Sequence, residues 1–425
     1  MLSSEDHEIL NRVGPGTVMG NLLRRYWTPA LLSAELPNPD DPPVRVRLLG
    51  EDLVAFRDTD GGVGLVAGNC PHRGASMYFG RNEECGLRCV YHGWKFDVDG
   101  NCTDMPSEPR PFAERIRIPA YPTHESGGIV WTYMGPRETM TAFRDFGTDS
   151  LPEEHIVARK WHTECNFVQS IEGDLDSVHV SWLHYWKGMD EIPDDGSGKP
   201  APSSRAVSMR NRLLDRAPRI EVQEEWYGFR HAGLRKGPNG TSAGVSAYVI
   251  PYCTITGNLP IQAWVVPIDD ESCWRYNIAA KEPTPDQPRR GSFAELPKYP
   301  YRDRGGELPS GVRRRLYTKE NDYLIDREVQ RTTTFTGIED FVSQDLMVTE
   351  SMGPIYDRTR EHLGTIDRAI IALRETLINA AKRLDEGGEA PATGDLDYGS
   401  IHGAASILEP GEDWRTLTGA SPARD

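Results

Sequence analysis

Cys70-Pro71-His72-Arg73-Gly74 and Cys89-Val90-Tyr91-His92-Gly93-Trp94 are the two strings on which the fold of this 425-residue chain turns. A Cys-x-His pair and a Cys-x-x-His pair stand 16 residues apart. Two thiolates and two imidazoles presented from paired turns suit a [2Fe-2S] cluster, one iron held by the Cys pair and the other by the His pair. Exchanging two thiolates for neutral imidazoles removes negative charge and makes such a cluster easier to reduce. The competing reading is a Cys₂His₂ zinc site. Zinc fingers pair Cys with Cys and His with His, whereas both half-motifs here are mixed. Gly74 and Gly93 allow the tight turns through which amide N–H groups approach sulfide. Cys85 is a bystander, since Cys89 is the one that precedes a His by three residues.

Around these strings the texture is β. Val44-Arg45-Val46-Arg47-Leu48-Leu49, Leu53-Val54-Ala55-Phe56 and Gly128-Ile129-Val130-Trp131-Thr132-Tyr133 are short strand-like runs punctuated by Gly, Asn and Asp. Residues 43–135 are therefore read as an all-β [2Fe-2S] domain. Before it, residues 1–42 read as a helical segment, two short pieces around Gly14-Pro15-Gly16. Residues 136–155 have the Pro and acidic content of a linker. A second domain is expected over 150–385: a helix across 163–186, a mobile loop from Lys187 to Ser204, and an antiparallel sheet. Its strands are expected at Ile220–Trp226, Gly244–Thr256, Ile261–Pro267 and Cys273–Ala280. From Phe341 to Arg383 the pattern is helical, with Ile366, Ile370, Ile371, Leu373 and Leu377 on one apolar face. Residues 386–425 read as a surface tail. The fold class is α+β.

Composition narrows the function. A net charge of −16 argues against nucleic acid, which is bound by neutralising phosphate. The 38% hydrophobic content contains no run long enough to span a membrane, and the polar, acidic start Met1-Leu2-Ser3-Ser4-Glu5-Asp6 lacks the pattern of a secretory signal, so a cytoplasmic location is expected. Seven Cys in such a chain are not a disulfide scaffold. Arg73, Arg81, Arg88 and Lys95 against Glu83 and Glu84 make the segment between Cys70 and Lys95 +2, a docking patch for an acidic redox partner or a solvated loop face.

A second metal motif follows. Asp176-Ser177-Val178-His179-Val180-Ser181-Trp182-Leu183-His184 supplies two His and an Asp within nine residues. Non-haem Fe(II) that activates O₂ is held by two His and a carboxylate on one face, with the other positions open. Five residues along an α-helix turn through about 500°, leaving the two imidazoles about 140° apart. A π-bulge or a helix end between His179 and His184 is therefore predicted.

These strings, with Asn166-Phe167-Val168-Gln169, Glu172-Gly173 and Gln344-Asp345-Leu346-Met347-Val348-Thr349-Glu350-Ser351, resemble the α subunit of the Rieske non-haem iron oxygenases, in the phthalate dioxygenase-like branch that includes aryl ether O-demethylases. The similarity runs over roughly residues 1–375. It implies that Cys70, His72, Cys89 and His92 bind the cluster, that His179 and His184 bind the catalytic iron with Asp345 as third ligand, and that Asp176 bridges the two centres. Glu339, Asp340 and Glu350 compete with Asp345, and Asp174 competes with Asp176. It also implies a catalytic domain with a curved antiparallel sheet, and a homotrimer or stacked trimers in which one subunit's cluster serves a neighbour's iron.

The implied activity is O₂-dependent hydroxylation or O-demethylation of an aromatic carboxylate. Electrons would come from NAD(P)H through a separate flavin and iron–sulfur reductase, with or without a ferredoxin, because no Gly-rich dinucleotide fingerprint is placed between a strand and a helix here. Arg205, Arg210, Arg212, Arg230 and Arg235 are candidate carboxylate anchors. Trp264, Trp274 and Tyr276 are candidate pocket walls or plain core. Two other classes stand against this reading. An electron-transfer Rieske protein has no use for the second motif, and a metal-stabilised binding module needs neither His179 nor His184.

Overall fold

The computed structural model describes residues 1–147, 155–187, 211–238, 240–257, 261–280, 315–394 and 396–417. The expected Lys187–Ser204 loop lies almost wholly outside them. Arg205 and Arg210 are outside as well.

Three antiparallel sheets build the N-terminal half. Val44–Leu48, Glu51–Arg57, Val63–Ala67 and Ala120–Tyr121 form one. Very short strands, Arg81–Asn82, Leu87–Arg88, Lys95–Phe96 and Cys102–Asp104, form a second that carries the cluster loops. Between these two sheets Val54, Phe56, Val66, Met77, Leu87, Trp94 and Phe96 close a small separate core. The third sheet sets Ile129–Tyr133 between Trp27–Leu32 and Thr123–Ser126.

The N-terminal segment is thus not wholly helical. Helices α1 (Ser4–Asn11) and α2 (Val18–Leu23) lie on either side of the expected Gly-Pro-Gly turn, capped by Ser3 and Thr17. Trp27–Leu32 is a strand paired with Ile129–Tyr133. Its run of six residues, nearly all buried, has no polar face for a surface helix to present.

The C-terminal half is an eight-stranded antiparallel sheet. Its order runs Ile156–Thr163, Cys273–Ala280, Ile261–Pro267, Cys253–Ile255, Gly240–Val249, Gly228–Gly237, Arg219–Glu225. The expected strands are present except that Gly244–Thr256 is two antiparallel strands around a turn at 250–252, and the sheet adds Ile156–Thr163 and Gly228–Gly237. It also recruits Ala404–Leu408 from the segment read as a surface tail, paired with Gly240–Val249, and Trp414 beyond it is buried.

Helix α3 (Phe167–Leu175) is capped by Asn166 and ends well short of residue 186. A short α4 (Arg327–Thr332) precedes α5 (Phe341–Ser351) and α6 (Arg368–Asp385). The expected continuous helix from 341 to 383 is two helices. Gly353 turns left-handed at φ +90° and Pro354 follows, which stops α5. On α6 the buried face is Ile370, Leu373, Leu377 and Ile378, while Ile366 and Ile371 are exposed. That face packs on α1, α2, α3 and the Arg219–Glu225 strand. Each of its large aliphatic side chains contributes about 1.5–3 kcal/mol.

Candidate metal centres

The two cluster loops fold alike although their sequences differ. The Cys70 N–H donates to the Ala75 carbonyl (2.8 Å) and the Gly74 N–H to the Cys70 carbonyl (2.9 Å). The Cys89 N–H donates to the Trp94 carbonyl (2.8 Å) and the Gly93 N–H to the Cys89 carbonyl (2.9 Å), the same offsets. Gly74 and Gly93 sit at φ +74° and +79°, where a β-carbon is strained, and a β-carbon on Gly93 would lie 2.7 Å from Pro106.

These turns bury Cys70 and Cys89 and place the His72 and His92 rings edge to face, 4.4 Å apart. Burial, with Cys89 close by, pushes the Cys70 thiol up to about 11. A thiol so buried ionises readily only when a metal neutralises it. His72 Nδ1 is buried with no hydrogen-bond partner among the described residues, as suits a ligand atom, and its ring lies flat on Trp94 (4.6 Å, 10°). The donor set fits a two-Cys, two-His cluster. Cys85 turns away to the Asp60 carboxylate, 3.3 Å distant.

The basic surplus around these loops is largely neutralised in place. Arg81 pairs with Glu83, Arg88 with Glu83 and Asp104, and Lys95 with Glu84. Beside exposed Arg73 and Arg81, the cluster end also exposes three large apolar residues, Phe79, Val90 and Tyr91.

At the second motif the helix stops before the ligands. Leu175 ends α3, and Asp176 adopts extended backbone with its Oδ1 accepting from the Val178 N–H at 2.6 Å. A short 3₁₀ turn, His179–Ser181, then begins. The α-helix ends upstream of both His, at Leu175, and the 3₁₀ turn that begins at His179 itself ends at Ser181, so a helix end does lie between His179 and His184, as predicted, and it is not a π-bulge. Freed from α-helical spacing, the His179 and His184 rings stand 5.2 Å apart.

Asp345 of α5 meets them. Its Oδ1 is 3.0 Å from His184 Nε2 and 3.6 Å from His179 Nε2, and the three ligand atoms all lie within 4.8 Å of one another. Donors about 2.1 Å from one ion at right angles are about 3 Å apart, so the set fits one metal with an open face. Burial works against the Asp345 carboxylate, yet His184 and His179 hold it below the usual carboxylate range. The competitors are engaged elsewhere. Glu350 accepts from Tyr323 Oη, Arg315 and the Glu164 N–H; Asp340 caps α5; Glu339 is exposed.

Asp174 is ion-paired with Arg275 and accepts from Thr254, facing the sheet. Asp176 faces the candidate ligands, its Oδ2 3.8 Å from His179 Nδ1, too long for a direct hydrogen bond. Sequence reading missed Gln344, whose Oε1 accepts from His184 Nδ1 at 2.8 Å. Its position beside Asp345 was the available signal. Helix α3 itself is anchored through Glu172, bonded to buried Arg358 and Arg374.

Strand Gly228–Gly237 alternates across the sheet. Gly233 faces the iron turn: a β-carbon there would lie 3.0 Å from Ser177. Arg235 is on that face and donates to the Ser177 carbonyl. His231 shares the face, fully buried, with both ring nitrogens unpartnered among the described residues. Burial pushes it down to about 4. Burial, and then Arg212, push the Arg235 guanidinium down to about 10. Arg230 points to the opposite face, toward Glu225 and Trp414, so it is not an anchor at this site. Nor do the three aromatics line the iron pocket. Trp264 packs on Trp131 and Phe146, Lys160 lies over Trp274, and Tyr276 donates to the Ala30 carbonyl.

Residues 26–122 match the Rieske [2Fe-2S] domain family, and residues 132–424 match the family described as LigXa C-terminal domain like. The chain is 38% identical to the phthalate 4,5-dioxygenase oxygenase subunit of Pseudomonas putida, over 98% of this chain and 94% of the relative. It is 36% identical to the 3-chlorobenzoate-3,4-dioxygenase oxygenase subunit of Comamonas testosteroni, over 98% of both. Identity to the 5,5'-dehydrodivanillate O-demethylase oxygenase subunit of a Sphingobium species is 30%, over 92% of this chain and 83% of the relative. Among solved structures, dicamba monooxygenase bound to dicamba shares the fold at a TM-score of 0.57 and 18% identity, covering 86% of this chain and 99% of that one.

Proposed function

The chain belongs to the Rieske [2Fe-2S] oxygenases with a LigXa-like C-terminal domain, and from that membership we propose that it is the terminal oxygenase of a multicomponent system acting on an aromatic carboxylate by hydroxylation or O-demethylation. The observation that carries this reading is the convergence of His179, His184 and Asp345 in the same chain as the Cys70, His72, Cys89 and His92 loops. An electron carrier needs the loops alone. The three relatives named above are oxygenase subunits, by name, for phthalate, 3-chlorobenzoate and dehydrodivanillate.

Bound to these residues, the cluster would supply electrons and the iron a site for O₂ reduction. The protein's part is placement. His179, His184 and Asp345 would occupy one face of the iron and leave the other for O₂ and substrate. Arg235, desolvated beside the iron turn, is the anchor best placed for a carboxylate, since burial strengthens a charge-assisted hydrogen bond. His231 adds a neutral imidazole next to it.

Asp176 is the link between centres in this reading. It sits where α3 ends and the ligand turn begins, partly exposed, so a neighbouring subunit's His72 or His92 can approach it. A ring of copies, a trimer or stacked trimers, is supported by exposed apolar residues at both ends of that junction. Phe79, Val90 and Tyr91 lie at the cluster end, and Trp182, Trp186, Phe335 and Phe341 lie around the iron turn. An NAD(P)H-dependent reductase, directly or through a ferredoxin, is the proposed electron source. None of the seven cysteines is joined in a disulfide, which supports work in the reducing cytoplasm. No helix among the described residues is long and apolar enough to cross a membrane.

The test is incubation with a reductase, NADH, O₂ and a panel of phthalates, chlorobenzoates and methoxybenzoates. Formaldehyde identifies O-demethylation and a cis-dihydrodiol identifies dihydroxylation. Reduction of the cluster without substrate-dependent O₂ consumption across the panel would refute the oxygenase reading.

A further inference from the structure

Gln344 and Asp345 are consecutive on α5, and they grip one imidazole from opposite ends. Gln344 Oε1 lies 2.8 Å from His184 Nδ1, and Asp345 Oδ1 lies 3.0 Å from His184 Nε2. The orientation of the Gln344 amide follows from its other contact. Its Nε2 donates at 2.7 Å to the backbone carbonyl of Ile338, which has no proton to give. With the NH₂ committed to that carbonyl, the amide oxygen must face His184. An amide oxygen only accepts, so Nδ1 must carry a proton, and Nε2 is the nitrogen left to face Asp345 and His179 and to take a metal.

We propose that Gln344 is the positioning residue of the second metal site: it relays the fixed polarity of the Ile338 carbonyl to His184 and holds that imidazole in the one tautomer that binds iron. This rests on the reading that His184 is an iron ligand.

The surroundings leave the relay little freedom. Gln344 and Ile338 are buried, and the Ile338 carbonyl also accepts from Thr336 Oγ1 at 3.3 Å. The His184 ring is stacked on Phe341, one turn back on the same helix, at 3.6 Å and 15°. Single-helix control of both ring nitrogens is absent at His179. That ring is more exposed, its Nδ1 has no hydrogen-bond partner among the described residues, and Asp176 stands 3.8 Å away. The two imidazoles are therefore unequal: His184 is preset, and His179 is left to be oriented when metal arrives. An amide suits the relay because it donates to Ile338 and accepts from His184 at once, which an ionised carboxylate cannot do.

The experiment measures Fe(II) affinity of the second site by chelator competition in the full-length protein with its cluster intact. Cluster absorbance and far-UV circular dichroism monitor the fold. Gln344→Met keeps the side-chain length and removes both hydrogen bonds. It is expected to weaken Fe(II) binding about 10–100-fold, the usual loss for such outer partners, with the cluster spectrum unchanged. Gln344→Glu keeps an acceptor toward His184 but loses the donor to the Ile338 carbonyl, and is expected to bind Fe(II) less tightly than the parent and more tightly than Gln344→Met. Wild-type affinity in Gln344→Met would overturn the proposal. Equal loss in both variants would also overturn it, because packing and not the hydrogen bond would then be the cause. Asp345→Ala separates the two levels: if it too keeps the second-site iron, the ligand reading itself fails, whereas loss there beside an unaffected Gln344→Met rejects only the relay.

Discussion

Asp176 holds the Val178 N–H at 2.6 Å with one carboxylate oxygen and stands 3.8 Å from His179 Nδ1 with the other. One oxygen shapes the turn that delivers the ligand, and the second remains available toward the ring and toward a neighbouring copy. Asp176→Asn keeps an acceptor for the turn and removes the charge. Cluster and iron contents are expected to stay near normal while turnover falls about 10–100-fold, a loss of the size seen when an outer ligand partner is removed. Rapid single-turnover transfer from the reduced cluster to the iron in that variant would reject the bridging role.

His92→Cys replaces a neutral ligand by a charged one in a loop whose closing hydrogen bonds, Cys89 to Trp94 and Gly93 to Cys89, run through backbone atoms that the substitution leaves in place. The cluster is expected to assemble and its midpoint potential to drop by on the order of 100 mV toward the all-Cys range. Potentiometry with visible absorbance reads this directly. An unchanged potential would remove His92 from the ligand set.

Arg235 gives the substrate prediction. Losing a charge-assisted hydrogen bond in a buried site removes about 1.5–3 kcal/mol, so Arg235→Gln should raise KM for the carboxylate substrate roughly 10–100-fold. The comparison with the corresponding methyl ester decides the cause. The parent should prefer the carboxylate and the variant should not, while a variant that loses both equally has only disturbed the Ser177 turn.

His231 carries a pH signature. Burial sets its folded-state pKa at about 4 against 6.5 ordinarily. Between those values the unfolded chain holds a proton that the folded chain does not, so stability rises with pH across that window and is lost on acidification. From pH 6.5 to 4 the loss is on the order of 3 kcal/mol. Urea unfolding at several pH values should show this slope, flattened in His231→Gln.

Glu172 stabilises α3 by accepting from two buried guanidinium groups, Arg358 and Arg374. Glu172→Gln leaves Arg358 buried without its carboxylate, and a loss of about 3–5 kcal/mol in urea unfolding is expected. Glu361 still pairs with Arg374, so Glu361→Gln provides the comparison for the other half of the network.

Both metal motifs were legible because their signals are local. Cys70, His72, Cys89 and His92 lie on two turns whose spacing and glycines declare themselves along the chain, and His179 with His184 does the same. Strands Ile156–Thr163 and Gly228–Gly237 escaped notice, since Lys160, His231 and Arg235 break the apolar alternation that marks a strand. Those polar residues point into packed or catalytic space, where partners or a ligand and not water are the reason for them. Spacing also fails across long separations. Whether Asp345 or Glu339, Asp340 or Glu350 meets the histidines, whether Asp174 or Asp176 faces them, and whether Arg230 or Arg235 looks at the iron turn all depended on which side each element buries. Burial is decided by the whole packed chain: α3 stops at Leu175, α5 lays Gln344 and Asp345 across His184, and no stretch of sequence contains both sides of that contact.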